Sequence, residues 1–413
     1  MVAGAGTRIA GMPEYVVSSP LPLTGIRILD CSTVLAGPLA ATFLAEFGAD
    51  VIKVELPASA GYRQPVTRLQ EERNKRSVAI DLRRDDGREL LLRLVETADA
   101  LVENFRPGTM ERWNLGPDVL LKRNPRLIMH RLSAFGQTGP WRTRTGYDRQ
   151  AQALSGATWV TGLPDSEPVR SGFATADYMA GVWGAFSIML AVYWRDARGG
   201  SGQVSDLALF EPIFRATESS LLGYALTGEV RERTGNTNPH VVPAKNFATS
   251  DSMLIAVNAN NDRQWARLAR MVGRDDLAED EDYRGPRRVA HADEVYQILD
   301  EWFRSRTREE AEHALAEADV PFAPILNIAQ IADHPLFRER AIVDVKLRDG
   351  AIAPMVGVFP RLSKTPGAVT LPGPLPGEHT REILSEIGVS ADELTRLERV
   401  GIIGSISERE ART

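Results

Sequence analysis

IRILDCSTVLAGPLAATFLAEFGADVIKVE, residues 26–55, decides how the rest of the chain is parsed. IRILDC is a short β-rich run, STVLAG is a loop of small residues, and Pro38 opens a helix at its first position, where a missing N–H costs nothing. That helix, about PLAATFLAEFG, stops near Gly48, and ADVIKVE follows as a second strand. The stretch is therefore a βαβ unit with the short connections of α/β proteins. Working outward, RSVAIDL (76–82) reads as a strand, RDDGRELLLRLVETA as a helix with acids in its first turn, DALVENF (99–105) as a strand, and RLIMHRLSAFG as another. The alternation predicts an α/β fold: a Rossmann-like large domain on a parallel, doubly wound sheet.

Beyond residue 199 the pattern breaks. GGSGQ (199–203) interrupts it, and VSDLALFEPIFRATESSLLGYAL reads as mostly helical. EVRERTGNTNPHVVP (229–243) has the charge, Gly, Asn and Pro of a linker or binding loop. The strand SMLIAVNA and the amphipathic helices NDRQWARLARMVG, ADEVYQILDEWFRSR and REEAEHALAEA then suggest a small α+β unit. Pro-rich segments lead out of it to a tail with strands and the helices TREILSEIG and SADELTRLERVG.

A chain of 413 residues exceeds one compact core, so two domains are expected. Lys plus Arg number 49 against 55 Asp plus Glu, net −6, with both signs dispersed, so no global field favours nucleic acid and anionic ligands must be met locally. Cys31 is the single cysteine, which excludes an internal disulfide and any multi-cysteine metal site and fits a reducing, cytoplasmic setting. MVAGAGTRIAGMPEYVV lacks a basic segment followed by an apolar one, so a loose arm is expected there rather than a signal peptide. The apolar run Tyr178 to Trp194 falls short of the ~20 residues of a bilayer span and is diluted by Gly181, Gly184 and Ser187. A helix buried in an α/β core is expected, with no membrane partner.

The stretch around that run, SGFATADYMAGVWGAFSIMLAVYW (171–194), places one carboxylate, Asp177, at the start of a long apolar helix. An acid in a first helical turn is favoured by the unpaired N–H groups and the macrodipole, so an ordinary capping aspartate is one reading. The other is a carboxylate nucleophile on a rigid helix, with Gly172 and Gly181 admitting a substrate. Several competing sites are absent: G-x-G-x-x-G in a strand–helix context, Walker A, H-E-x-x-H and G-x-S-x-G. The histidines are scattered, so no metal cluster is expected. Three stretches could meet phosphates or another ligand. ERNKRS (72–77) carries Arg73, Lys75 and Arg76, ENFRPGTMERW (103–113) carries Asn104, Phe105, Arg106 and Arg112, and STVLAGP presents backbone. Taken singly, the two basic stretches read more readily as solvated turns, and STVLAGP also reads as a plain strand-to-helix turn.

Taken together, VLAGPLAATFLAEFGADVIKVE, RNKRSVAIDL, VENFRPGTMERWNLG, NPRLIMHRLSAFGQTGP, GYDRQAQALSG, TADYMAGVWGA and PGEHTREIL resemble the family III CoA-transferases, the CaiB/BaiF group. The likeness runs from about residue 22 to the C-terminus, with NKRSV, ENFRPGT and FGQTGP closest to the succinyl-CoA:dicarboxylate members. It implies acyl-CoA as substrate, no permanently bound cofactor, and attack of Asp177 on the thioester to give an acyl-aspartyl anhydride and then an aspartyl-CoA thioester. An ordinary aspartate, with a pKa of about 3.9, is ionised for this without a general base. By the same resemblance, backbone at Val34, Leu35 and Ala36 lies near the thioester, and Lys75, Asn104, Phe105 and Arg112 hold the nucleotide part of CoA. Leu35 stands where formyl-CoA transferase has glutamine, and GNTNPHVVPAKNF replaces its glycine-rich flap, which points away from oxalate.

The family plan implies a ring-shaped chain interlocked with a second copy. It divides this chain into a large CoA-binding part (1–208), a linker (209–240), a small α+β domain (241–318), a second linker (319–339) and a return to the large domain (340–413). The expected acceptor is a small dicarboxylic acid, with succinyl-CoA as donor and Arg144, Arg149 or Arg170 meeting its second carboxylate. Two alternatives are a non-catalytic nucleotide-binding protein and an α-methylacyl-CoA racemase. The racemases place a histidine before the aspartate where this chain has Gly146, Tyr147 and Asp148, and tyrosine is poorly matched to removing a proton at neutral pH.

Overall fold

The computed structural model describes residues 21–57 and 65–404; the expected arm at the start of the chain lies outside the described residues. Two compact units are present. Described residues of 21–157, 171–219 and 332–404 form the first, and residues 158–170 and 220–331 the second. The expected boundaries placed 158–170 in the large domain, whereas that segment groups with the second unit.

In the first unit, β1 (Arg27–Asp30), α1 (Ala36–Ala45), β2 (Asp50–Glu55), α2 (Pro65–Glu71), β3 (Lys75–Ile80), α3 (Asp85–Val95) and β4 (Ala100–Glu103) follow in order. After them come α4 (Thr109–Arg112), α5 (Pro117–Arg123), β5 (Ile128–Ser133), α6 (Asp148–Leu154), α7 (Thr175–Ala197) and β6 (Gln203–Ala208). The strands lie in the order β3-β2-β1-β4-β5-β6, all parallel, and the short strand Ile403–Gly404 adds antiparallel to β3. Strand order reverses between β2 and β4, both neighbours of β1, so Ile28 stands opposite Val51 on one side and Ala100 on the other. In open parallel sheets ligands bind at the carboxyl ends of strands flanking such a switch point.

The sheet is covered on both faces, and β5 is buried along its whole length although it carries His130, Arg131 and Ser133. One face is packed by Leu29, Ile52, Ile80, Leu91, Leu94 and Leu101, joined by Ile383, Leu384, Leu394 and Leu397 of the returning tail. The other face is packed by Ile28, Val51, Val102 and Ile128 against Ala41, Leu44, Ile188 and Val192. VSDLALF, expected to be helical, begins instead with β6, whose residues pair in register with β5 from Ile128↔Gln203 to Ser133↔Ala208. The run is too short for its periodicity to decide between states, and the free edge of β5 decides it.

Helix α7 is the one described helix long and apolar enough to cross a membrane by length and composition. It is a packing element of this unit, burying Ala176, Asp177, Ala180, Gly181, Gly184, Ile188 and Ala191. Glycine lets it approach α1: a Cβ on Gly181 would lie 2.7 Å from Leu39 Cβ, and one on Gly184 2.8 Å from Ala40 Cβ. Gly181 is therefore a helix-packing residue and not the substrate gap expected from the sequence; open space surrounds Gly172.

The second unit is a three-stranded antiparallel sheet, with Leu254–Asn258 between Ala244–Ala248 and Phe322–Pro324. Helices Asp262–Met271, Ala292–Arg304 and Arg308–Glu317 cover it around Phe247, Trp265, Leu268, Leu299, Phe303 and Leu315. Residues 319–339, expected as a linker, begin inside this unit, because Phe322 pairs with Val257 and packs on that core.

Candidate active site

The loops following β1 and β4 meet at the switch point, and the first is held from below by buried charge. Asp30, at the end of β1, accepts the Ser32 N–H at 3.0 Å. The Lys53 ammonium donates to Asp30 at 3.1 Å and to the Ser32 carbonyl at 2.6 Å. The Lys75 ammonium donates to Asp30 at 2.8 Å, Glu72 at 2.7 Å and the Pro38 carbonyl at 2.8 Å. Burial pushes the Asp30 carboxyl up, but Lys53 and Lys75 outweigh it and hold the group well below the usual carboxylate range. Both ends of the segment from Ser32 to Pro38 are thus anchored to one ion network.

Above that network Asn104, just past β4, grips Thr33. Its side-chain oxygen accepts the Thr33 N–H and its amide donates to the Thr33 carbonyl, each at 2.7 Å. Between these anchors Val34 adopts φ +67°, a left-handed conformation that a β-branched residue rarely enters, at a cost of about 1–3 kcal/mol. Val34 is 56% exposed, so no packing of its own side chain explains the strain. The strain turns the chain sharply into α1, whose first turn carries no side-chain cap. Its leading N–H groups and the helix dipole favour developing negative charge there.

Asp177 stands in the first turn of α7 and is 9% exposed. Burial, reinforced by the negative charge of Asp148, raises its carboxyl pKa to about 7. The expectation of an ordinary, unperturbed aspartate is corrected: desolvation makes this group a far stronger base than a surface carboxylate. Asp148, in the first turn of α6, accepts the backbone N–H of Ala176 at 2.8 Å and of Asp177 at 3.4 Å, and Gln152 donates to its other oxygen at 2.6 Å. The next residue on α7, Tyr178, donates to Glu71 at 2.6 Å.

A cavity of about 260 Å³ joins these parts. Val34, Leu35, Ala36, Asn104, Phe105 and Asp177 all line it, six of the eight site residues expected from sequence. Lys75 does not. Its ammonium is fully buried with three acceptors, so it is a structural cation with no donor to offer a phosphate. Its neighbours in ERNKRS are likewise engaged, Arg73 with Glu46 and Arg76 with Asp50 and Glu386. Arg112 is exposed on α4, bonded to Thr109 at 2.9 Å, and is not part of the cavity wall. Phe105 packs edge-on against Trp113, centroids 5.2 Å apart, which leaves a fixed aromatic surface at the rim.

Of the arginines expected to meet a second carboxylate, Arg144 lines the cavity, stacked on Trp141 at 4.0 Å; Arg149 is exposed and outside it, and Arg170 belongs to the second unit. Sequence reasoning missed Arg142, which also lines the cavity and completes a basic wall with Arg106 and Arg144. It missed Ser133 as well, a wall residue whose buried hydroxyl has no hydrogen-bond partner in the structure. The cue was present in both cases: β5 ends at Ser133, and the turn WRTRTG follows at the sheet's ligand-binding edge. Chemically, the cavity offers a buried basic carboxylate, N–H donors of a helix start, and a cationic wall.

A family model described as CoA-transferase family III matches residues 23–380. The succinyl-CoA–L-malate CoA-transferase beta subunit of Chloroflexus aurantiacus is 41% identical over 391 residues, covering 91% of this chain and 96% of that protein. The succinyl-CoA–D-citramalate CoA-transferase of the same organism is 37% identical, covering 93% of this chain and 98% of that protein. Among solved structures, a CaiB/BaiF family protein from Brucella suis superposes with a TM-score of 0.80 at 31% identity, covering 89% of this chain and 100% of that one.

Proposed function

The chain belongs to CoA-transferase family III, an enzyme family acting on CoA thioesters, and from that premise we propose that it moves CoA from succinyl-CoA to a small dicarboxylic acid through Asp177. The observation that carries the reading is the placement of Asp177: a buried carboxylate with a pKa raised to about 7, in one cavity with the Val34–Ala36 loop. The Asp177 carboxylate attacks the thioester carbonyl carbon, the C–S bond breaks, and CoA leaves as thiolate, giving a mixed anhydride. Thiolate then attacks the aspartyl carbonyl, forming the aspartyl-CoA thioester and releasing the donor acid as carboxylate. The acceptor carboxylate repeats both steps in reverse, and Asp177 is regenerated ionised. Carboxylate and thioester are exchanged without net proton uptake, so the residues need only position groups and stabilise an oxyanion. The start of α1 supplies N–H donors for the latter.

The basic wall supports a dicarboxylate acceptor. One carboxylate reacts at Asp177, and a second is held by charge-assisted bonds to Arg142 and Arg144. Both C. aurantiacus relatives are named for hydroxy-dicarboxylic acceptors. The test is a panel of mono- and dicarboxylic acids with succinyl-CoA, read by mass of the thioester formed. Transfer to C4–C6 dicarboxylates is expected; transfer to monocarboxylates alone rejects the acceptor class. Deuterium uptake by a 2-methylacyl-CoA in deuterated water, without transfer, would select the racemase chemistry instead.

A homodimer, interlocked as in the family plan, completes the proposal. Val182, Phe186, Leu190 and Tyr193 form an exposed apolar stripe along α7, flanked by Trp183 and Trp194, and contiguous exposed apolar surface of this kind marks interaction sites. Sedimentation should give twice the chain mass of 45.4 kDa; a single-chain mass rejects the pairing.

A further inference from the structure

We infer that Asp148 is a positioning residue for the reaction: from α6 it caps the first turn of α7 and holds the Asp177 carboxylate beside a fixed negative charge. The inference rests on Asp177 being the nucleophile, as proposed above, and adds what orients and activates it. Helix α7 has no cap of its own, because its N-cap residue is Ala174. A helix start with unpaired N–H groups frays, and a nucleophile in the first turn would fray with it. Asp148 replaces the missing cap from another helix, one oxygen spanning the N–H groups of Ala176 and Asp177. Its second oxygen is held by Gln152, whose own carbonyl oxygen accepts from the Ser171 N–H and hydroxyl, each at 3.0 Å. The cap is thus itself braced, through a side chain one turn further along α6, to the chain segment leading into α7.

Capping by an anion has a second consequence that a serine or threonine cap would lack. A carboxylate beside the nucleophile disfavours the ionised form of Asp177, adding to its burial, and so preserves basicity that an ordinary aspartate loses. The other charged groups around α7 do not duplicate this effect. Helix α1 carries none. On β5, His130 abuts Gly184 further along α7 and is neutral near pH 7, burial lowering its pKa to about 4; Arg131 is bound to Glu103 and Glu111. On β6, Asp206 is engaged by the Gln137 N–H, and in the helix Phe210–Arg215 Glu211 accepts the Ala208 N–H, while Arg215 lies outside the cavity wall. Arg106, Arg142 and Arg144 line the same cavity, as does the exposed Tyr147. Tyr178 is turned to Glu71. The negative charge of Asp148 adds to burial in raising the Asp177 pKa.

The test separates this role from the identity of the nucleophile. Acyl-CoA with hydroxylamine marks the acylated carboxylate by mass: label on Asp177 upholds the nucleophile, and label on another residue removes both readings. With Asp177 labelled, pH profiles of kcat/KM are compared for the wild type, Asp148→Asn and Asp148→Glu. Asparagine keeps the cap acceptor and loses the charge, so the acid limb should move to lower pH by about one unit, with KM for acyl-CoA within about twofold. Glutamate keeps the charge but overreaches the cap, so kcat should fall about tenfold with the limb in place. An unmoved limb in Asp148→Asn overturns the inference. Should that variant not fold, Asp148→Ser decides, since it also offers a cap acceptor without the charge: an acid limb moved to lower pH upholds the role of the charge, and an unmoved one overturns it.

Discussion

The side-chain amide of Asn104 and the backbone of Thr33 bind each other through both their donor and their acceptor, at 2.7 Å each way, across the point where strand order reverses. The pair explains how Val34 is kept at φ +67° in a loop that solvent reaches. Asn104 thereby acts on the loop.

Asn104→Ala is expected to release Val34 and lower kcat by about ten- to a hundredfold, because misplacing a reacting group by about 1 Å costs that much. Asn104→Asp should do no better, since a carboxylate would face the Thr33 carbonyl where the amide donates. The kinetics of thioester exchange check this, with melting temperatures expected within a few degrees of the wild type.

Replacing Asp177 separates function from stability. Asp177→Asn should lower transfer by at least about 10³-fold while CoA still binds, since the nucleophile is gone and the rest of the cavity remains. The same change should stabilise the fold at neutral pH. Native Asp177 keeps its proton up to about pH 7, whereas an unfolded aspartate loses it near pH 3.9. Between those values the native state binds more protons, so the wild type loses stability as pH rises through that window. The variant's advantage should therefore be near zero at pH 4 and reach roughly 2–4 kcal/mol at pH 8, as read by urea denaturation across pH.

Lys75→Gln should act on stability and not on CoA affinity. Removing the ammonium leaves Asp30 and Glu72 buried without that counterion, an effect of about 3–5 kcal/mol in unfolding free energy. A variant that stays folded but shows a raised KM for acyl-CoA with unchanged stability would return Lys75 to the phosphate role expected from sequence.

Gly181→Ala places a methyl 2.7 Å from Leu39 Cβ. Helix α1 must then move from α7, at about 1–3 kcal/mol, and the Val34–Ala36 loop moves with it relative to Asp177. Thermal denaturation and kcat should fall together.

Arg142→Ala is expected to raise KM for a dicarboxylic acceptor about ten- to a hundredfold, the worth of a charge-assisted contact, with monocarboxylic acceptors little changed. Steady-state kinetics with a matched pair of acids check it.

The sequence by itself determined the parallel α/β plan, because a βαβ unit announces itself locally: IRILDC, a Pro-started helix and ADVIKVE need only neighbouring residues to be recognised. It also marked Asp177, the one carboxylate opening a long apolar helix, and the loops at Val34–Ala36 and Asn104–Phe105, since these sit at strand ends. Tertiary structure decided what each charge does. Lys75 and Arg112 are both cations beside a strand or turn in the sequence, yet one is sealed under the sheet edge with Asp30 and Glu72 and the other faces solvent. Glu72 is three residues from Lys75, but the burial of the pair depends on Asp30, 45 residues away, which no local pattern encodes. In the same way, Asp177 reads as an ordinary acid until α6 brings Asp148 to it from 29 residues upstream and the core removes its water. Ionisation is set by burial and by neighbours in space, and both are properties of the packed chain.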